Sequence, residues 1–250
     1  LKKHSYSNTE TIHLWQAFEK VSQKPVAKMM QNWTGKGGYP VVKVNMIKGK
    51  INFSQSRFFA SPISAKKSKD DTKWKIPIKF SEINFLRGLA SGGEPISGFL
   101  KLQKIRTGKK FDFRKFAIKI NFGEAGFYRT AYSRELLEKL KIPVEKKLLS
   151  ARDRLGIIRD LFALAEAGTV PTTDALEFLF AYKHEDNYTV WLELAMGLGR
   201  LEQLLVNNYI GVSYVHRKLL CSNLDKLILE LFSPLTARLG WTAKKGEIHT

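Results

Sequence analysis

The sequence predicts an α+β multidomain protein in which a short helical segment is followed by a β-sandwich and then by an α-helical superhelix. Apolar residues recur at helical spacing up to residue 40, alternate with polar residues over 41–133, and return to helical spacing over 134–250. The chain has 250 residues, of which 44% are hydrophobic, so it can form more than one core. We therefore predict domains at 1–40, 41–133 and 134–250.

The first predicted domain contains two short helices. Asn8 or Thr9 can cap the first helix, and Pro25 suits the first turn of the second. The apolar side of the first helix is predicted to consist of Trp15, Phe18 and Val21. The stretch GKGGYP, rich in glycine, ends the helical part.

The second predicted domain begins with a hairpin. VVKVNMI alternates apolar and polar residues, the turn KGK follows, and INFSQSRFF alternates again. ASPISAKKSKDDTK (60–73) is predicted to be a polar loop. Further alternating runs, from WKIPIKF (74–80) to FDFRKFAIKINF (111–122), predict several short antiparallel strands and hence a small β-sandwich.

The third predicted domain begins just after the strand that ends near Tyr132. Ser150 and Asp153 form a start that resembles a capping box, and Gly168 suits the end of the same helix. Helical runs near 173–182, 188–206 and 212–232 follow with short connections. This spacing is typical of stacked helix pairs of the HEAT-like kind. Such a stack is expected to continue, so we interpret the chain as a truncated part of a longer protein.

The charge of the protein is concentrated in its first half. The net charge is +19, and residues 1–135 hold 27 Lys and Arg against 9 Asp and Glu. This balance supports an alternative function, a stand-alone basic binding or scaffold module for an acidic protein or a nucleic acid. The stretch 101–119 interleaves basic and aromatic residues, but strand alternation directs its rings to a core. Nucleic-acid binding is therefore disfavoured.

No catalytic residue and no metal ligand is predicted in this chain. The stretch HEDNY, from His184 to Tyr188, has tyrosine where a zinc-binding H-E-x-x-H motif needs its second histidine. We interpret it as a polar loop between helices. No apolar run reaches the roughly 20 residues that span a bilayer, so no membrane partner is expected. The single cysteine, Cys221, favours a reduced, cytoplasmic location.

Several motifs, taken in order, resemble the zinc aminopeptidases of the puromycin-sensitive and aminopeptidase N type, which are gluzincins. The resemblance covers essentially the whole chain. The motifs are NTETIHLW (8–15), MMQNWTGKGGYPVVKV (29–44), QSRFF (55–59), WKIPI (74–78), INFGEAGFYRTAY (120–132) and SARDRLGIIRDLFALAEAG (150–168).

The resemblance implies that residues 1–40 end a catalytic domain and that residues 134–250 begin a helical lid domain. In this family the zinc ligands and catalytic residues lie upstream of the first motif matched here. The resemblance therefore implies zinc as cofactor and peptide as substrate of the full-length enzyme only. The catalytic domain is then the expected partner, on the same or a separate chain, and this chain alone is expected to be inactive.

Six residues are predicted to form a structural junction between the strands and the helical domain. Tyrosine combines a large buried ring with a hydroxyl group that needs a partner. An arginine can pair with a carboxylate through two nitrogens, and either Asp153 or Asp160 is a candidate partner of Arg129. The six residues are Tyr128, Arg129, Tyr132, Asp153, Arg154 and Asp160.

Overall fold

The computed structural model describes residues 5–84, 89–90, 95–100, 104–106, 114–207 and 213–240, with side chains only outside 85–113. The helices are α1 (Thr11–Ser22), α2 (Val26–Thr34), α3 (Pro62–Lys67), α4 (Arg134–Glu145), α5 (Ala151–Glu166), α6 (Thr172–Leu179), α7 (Tyr188–Asn207) and α8 (Tyr214–Leu239). The strands are β1 (Pro40–Ile47), β2 (Lys50–Arg57), β3 (Ile76–Asn84), β4 (Leu89–Ala90), β5 (Pro95–Leu100), β6 (Lys104–Arg106), β7 (Phe116–Ile120) and β8 (Arg129–Tyr132). The predicted α+β order of helices, strands and helices is confirmed.

The predicted caps of the first two helices were wrong by one or two residues. Glu10, not Asn8 or Thr9, is the N-cap of α1, and its backbone N–H donates to Nδ1 of His13 at 3.1 Å. Pro25 is the N-cap of α2 rather than a member of its first turn. Neither helix contains a fully buried residue.

Helix α2 is tied to the chain that enters β3. The indole nitrogen of Trp33 donates to the carbonyl of Lys75 at 3.1 Å, and the side-chain oxygen of Asn32 accepts the Lys75 N–H at 2.6 Å. Deeper in, the side chain of Gln55 bonds both backbone groups of Trp74, at 2.9 and 2.8 Å. These bonds satisfy backbone groups of the segment that leads into β3 and fix it against α2 and β2.

Two sheets face each other across one apolar cluster. The first has the order β6–β2–β1–β8, and in the second β3 pairs with β4, β5 and β7. In the β1–β2 hairpin, the paired residues run without a shift from Pro40 and Arg57 to Ile47 and Lys50. The hairpin predicted from the turn KGK is therefore present. The cluster draws on both sheets and includes Val42, Val44, Ile51, Phe53, Trp74, Ile76, Ile78, Ile118 and Ile120. This is the arrangement of a β-sandwich.

Two local expectations were wrong. The strands are not all antiparallel, because β8 pairs with β1 in parallel. More than 80 residues separate these strands in the chain, so no tight turn forces them to run in opposite directions. The loop 60–73 also contains the short helix α3, which begins with Pro62 after the N-cap Ser61. Proline in the first helical position has the required φ and loses no hydrogen bond.

The helical region packs against the strands through a second apolar cluster. Strands supply Val41, Ile83, Ala117 and Ala131, and helices supply residues that include Leu137, Leu140, Ile158, Leu164, Phe178, Tyr182, Val190 and Leu194. After α5, Gly168 has φ of +65°, which glycine adopts without the strain that a side chain causes. The sandwich and the helices therefore share a continuous core rather than meeting only at polar surfaces.

Among the described helices, none is long and apolar enough to cross a membrane. Most of the basic and aromatic stretch 101–119 lies outside the residues whose side chains are described, including Phe111 and Phe113.

Candidate functional site

Charged and polar side chains cluster at the contact between α5, strand β8 and the 3-10 turn Phe122–Glu124. Asp160 on α5 contacts β8 through both carboxylate oxygens. Its Oδ1 lies 3.1 Å from Nη1 of Arg129, and its Oδ2 accepts the backbone N–H of Thr130 at 2.7 Å. Of the two candidate partners of Arg129, Asp160 is the one in contact, through one guanidinium nitrogen rather than two. One carboxylate thus binds the side chain and the backbone of the last strand.

Asp153 holds the other end of the same contact. Its Oδ1 accepts the backbone N–H of Gly123 at 2.6 Å, and its Oδ2 accepts the hydroxyl of Ser150 at 2.6 Å. Its own N–H donates to the Ser150 oxygen at 3.1 Å, which caps the start of α5. Asp153, in the first turn of α5, therefore also binds the turn that precedes β8.

A buried lysine lies beneath this contact. Lys119, 2% exposed, donates through Nζ to the Ile120 carbonyl at 2.7 Å and to Oε1 of Glu124 at 2.6 Å, and lies 3.8 Å from Asp153. The Glu124 carboxylate rests on Gly156 of α5, where a Cβ atom would lie 2.1 Å from it. Glycine at this position permits the helix to approach the turn so closely.

The two tyrosines lie on the sandwich side of the contact. The hydroxyl oxygen of Tyr132 accepts the Ile120 N–H at 2.7 Å, which joins β8 to β7. Tyr128 is 6% exposed, and its ring fills the space beside Gly126, where a Cβ atom would lie 2.3 Å from the ring. Burial raises the pKa of both phenols above the ordinary value, so both stay neutral.

Arg154, the sixth predicted junction residue, faces the helical region instead. Its guanidinium binds both oxygens of Glu185 at 2.6 and 2.8 Å and the Leu149 carbonyl at 2.6 Å. The Tyr182 hydroxyl donates to the Arg154 carbonyl at 2.7 Å. Both charged side chains are buried, so this pair ties α5 to the loop before α7 from inside the core.

Burial and bonding move the pKa values of these acids in opposite directions. Burial raises the pKa of Asp160 to about 7, against the lowering effect of the Thr130 N–H and Arg129. Burial also raises the pKa of Glu124, although the Lys119 ammonium opposes it. For Glu185, burial is outweighed by the Arg154 guanidinium together with the N–H groups of Asn187 and Asp186, so its pKa is lowered.

The raised pKa of Asp160 predicts that Asp160→Asn changes the pH dependence of stability. Between the ordinary value of 3.8 and about 7, folded Asp160 holds a proton that the unfolded chain has released. The folded state of the unsubstituted chain therefore loses stability as the pH rises through this window. Urea titrations measure the free energy of unfolding of Asp160→Asn and of the unsubstituted chain. We expect the difference between them to shift steadily in favour of the Asn variant from pH 4.5 to pH 8.

Asp70→Asn is the matched control for this measurement. The pKa of Asp70 is lowered to about 2 by bonds from Thr72 and from Arg57, so it stays ionised throughout the same window. The stability of Asp70→Asn relative to the unsubstituted chain should not change with pH between 4.5 and 8. A flat profile for Asp160→Asn as well would show that Asp160 is already ionised at pH 4.5.

The stretch His184–Tyr188 forms no metal site. His184 is exposed, Glu185 is in the buried pair with Arg154, and Tyr188 begins α7. Over the part of the chain that the structure describes, no group of three or more His, Cys, Asp or Glu is arranged to hold a metal ion. These residues do not fit the zinc that the resemblance implies for the full-length enzyme, and we derive no chemical step through a metal here.

The same segment, from β7 through the junction to the end of the chain, matches a family model. Residues 117–250 match the model of the ERAP1-like C-terminal domain. The chain belongs to this family. It is also similar over its whole length to "Aminopeptidase M1-A" of Oryza sativa subsp. japonica, at 33% identity over 256 residues, and covers 27% of that protein.

Relatives from other organisms align in the same way. "Aminopeptidase 2" of Candida albicans is 36% identical over 210 residues, which is 82% of this chain and 21% of the relative. "Glutamyl aminopeptidase" of Bitis rhinoceros is 29% identical over 255 residues, which is all of this chain and 25% of the relative. The chain thus spans about a quarter of the length of the curated relatives it matches. The resemblance to zinc aminopeptidases is confirmed.

Three charged residues at the core of this family member were not predicted from the sequence. Lys119 occupies a strand between two isoleucines, where alternation alone predicts an exposed side chain. Glu124 lies in a short turn that carries no pattern. Glu185 was considered only as part of a metal motif, and its position in a polar stretch after a helical run gives no sign that it is buried.

Proposed function

We propose that this chain is the non-catalytic part of a zinc metalloaminopeptidase that removes N-terminal residues from peptides. In this proposal the β-sandwich links the catalytic domain to the helical domain, and the helical domain covers the active site. The observation that carries the proposal is the alignment of the whole chain with proteins named aminopeptidases, of which it covers about a quarter. The catalytic domain, on the same or a separate chain, is the proposed partner.

The junction supports a linking role for the sandwich. Asp153 and Asp160 lie two helical turns apart on α5, and each binds backbone N–H groups of the β-sandwich side. Two anchors separated along a helix prevent it from pivoting about either one. A helical domain held in this way can keep a constant position over a site formed elsewhere.

The domain boundaries of the proposal are 1–40, 41–133 and 134–250. The first strand begins at Pro40, the last ends at Tyr132 and α4 begins at Arg134, so no described element crosses the second boundary. The helix pairs after residue 134 are proposed to be HEAT-like. A cytoplasmic location is part of the proposal and rests on the single cysteine in the sequence.

The proposal predicts that the full-length protein, but not this chain alone, hydrolyses aminoacyl-arylamides. Because the described residues contain no metal-ligand group, the isolated chain should release no arylamine with or without added zinc. The full-length protein should lose its turnover on treatment with a zinc chelator and recover it when zinc is returned.

The control is a full-length variant in which the glutamate of the family's H-E-x-x-H motif is replaced by glutamine. It should fold, bind zinc and have no turnover, which excludes a contaminating peptidase. Zinc-dependent turnover by the isolated chain would contradict the assignment of this region as non-catalytic. A full-length protein with no turnover on any aminoacyl-arylamide would contradict the proposed activity.

A further inference from the structure

A cavity of about 290 Å³ lies at the outer edge of the junction, between α5 and the segment that leads into β8. The helix contributes Arg152, Leu155, Gly156 and Arg159 to its wall. Its size is close to the lower end of the range for pockets that enclose small molecules, about 300 to 1,000 Å³. The cavity therefore suits a ligand with a single ring better than a folded segment of chain.

Two arginines at the cavity have hydrogen-bonding capacity to spare. Arg152 and Arg159 are seven residues apart, which is about two helical turns, so their side chains leave the same face of α5. The Arg152 side chain has no ion pair or hydrogen bond with any residue that the structure describes. Arg159 is 58% exposed and has only a loose contact, 3.8 Å, with Glu193.

The acids at the cavity are already engaged. Asp160 accepts bonds from Arg129 and from the Thr130 N–H, and Glu124 accepts the buried Lys119 ammonium. The unused polar groups of the cavity are consequently donors, and they suit an acceptor on the ligand. Because Lys119 balances Glu124 and Arg129 contacts Asp160, the charges of Arg152 and Arg159 are not balanced by an acid of the cavity wall, and they suit an anionic ligand.

The remaining wall of the cavity is aromatic. Tyr39 and Phe127 lie with their ring centroids 5.2 Å apart, and both line the cavity. Phe127 is 70% exposed although it is flanked by Tyr39 and, at 6.4 Å, by Trp33. An exposed phenylalanine at the edge of an aromatic group offers a flat apolar surface to a planar ligand.

From this arrangement we propose that the cavity binds a small aromatic monocarboxylate. The carboxylate accepts hydrogen bonds from Arg152 and Arg159, whose planar guanidinium groups match its two oxygens. The ring of the ligand packs against Phe127 and Tyr39. Binding to this cavity does not depend on the proposed function.

The test uses 3-phenylpropanoate as probe and its neutral amide, 3-phenylpropanamide, as the matched ligand without charge. Binding to the full-length protein is measured by calorimetry, with ligand-observed NMR for weak complexes. We expect the carboxylate to bind about tenfold more tightly than the amide, because only the carboxylate forms charge-assisted bonds. Arg152→Gln and Arg159→Gln should each weaken binding of the carboxylate about fivefold. Phe127→Ala should weaken binding of both the carboxylate and the amide.

Arg200→Gln is the control for the two arginine variants. Like Arg159, Arg200 is exposed and lies at a loose distance from Glu193, 3.7 Å, but it does not line this cavity. Its replacement should leave the affinity unchanged, and thermal melts should show that all variants fold. The proposal is overturned if neither probe binds, if the amide binds as tightly as the carboxylate, or if Arg200→Gln has the effect of Arg159→Gln. Inorganic phosphate binding as tightly as 3-phenylpropanoate would equally overturn it.

Discussion

Arg154→Met is expected to lower the free energy of unfolding of the helical region by about 3–5 kcal/mol. The substitution leaves Glu185 buried without the guanidinium that binds both of its oxygens at 2.6 and 2.8 Å. It also releases the Leu149 carbonyl, which Arg154 binds at 2.6 Å. Urea unfolding followed by far-ultraviolet circular dichroism measures the loss.

The double variant Arg154→Met/Glu185→Gln separates a lost attraction from an uncompensated charge. Glutamine is neutral and keeps an oxygen for the N–H groups of Asp186 and Asn187, which Glu185 now accepts at 2.9 Å each. We expect the double variant to regain most of the stability lost by the single one, because no charge then remains buried. If the double variant is less stable than Arg154→Met, the buried charge is not the cause.

Arg134→Met is the surface control for this pair. Arg134 is 66% exposed and binds Glu177, itself 49% exposed, at 3.2 Å. Exposed pairs of this kind contribute about 0–1 kcal/mol, because water screens the charges in both states. A loss as large for Arg134→Met as for Arg154→Met would show that burial does not determine the effect.

Gly156→Ala is expected to destabilise the protein by about 1–3 kcal/mol by separating α5 from the turn Phe122–Glu124. The new methyl group would lie 2.1 Å from the Glu124 carboxylate, so that side chain must move. Glu124 then draws away from Lys119, whose buried ammonium it contacts at 2.6 Å. Thermal and urea unfolding of the variant measure the loss.

Gly199→Ala is the matched helical control. A Cβ atom at Gly199 in α7 meets nothing within 4 Å, so alanine adds helix propensity without a collision. We expect this variant to be about 0.5–1 kcal/mol more stable than the unsubstituted chain. Equal effects at the two glycines would mean that the Glu124 side chain adapts without loss, and that the close approach at Gly156 is not needed.

The order of the elements was predictable from local pattern. A change of apolar spacing from helical to alternating and back gave the helices before Pro40, the strands up to Tyr132 and the helices after Ser133. Ser150 and Asp153 were predictable as a cap because a capping motif needs only residues three apart. These features depend on neighbours along the chain.

The junction was predictable only in part, because its partners are distant in the chain. Two acidic residues on α5 were candidate partners of Arg129. The rotation of α5 against β8 places Asp160, rather than Asp153, beside it. The same rotation turned Arg154 toward Glu185 and away from the strands. The parallel pairing of β8 with β1 likewise follows from the route of the chain around the sandwich, which no local pattern records.

The amino-acid sequence by itself determined which segments are helices and strands, which sides of them are apolar, and the family to which the chain belongs. Only the tertiary structure decided that Lys119 and Glu185 are buried, that Gly156 lies under a carboxylate, and that a cavity lined by aromatic rings and three arginines opens beside the junction. The reason is physical. The spacing of apolar residues shows which side of a helix or strand faces a core, and this depends on that element alone. The burial of a charged side chain depends instead on a partner that packing brings close. Here the partners lie 5 to 34 residues away in the chain.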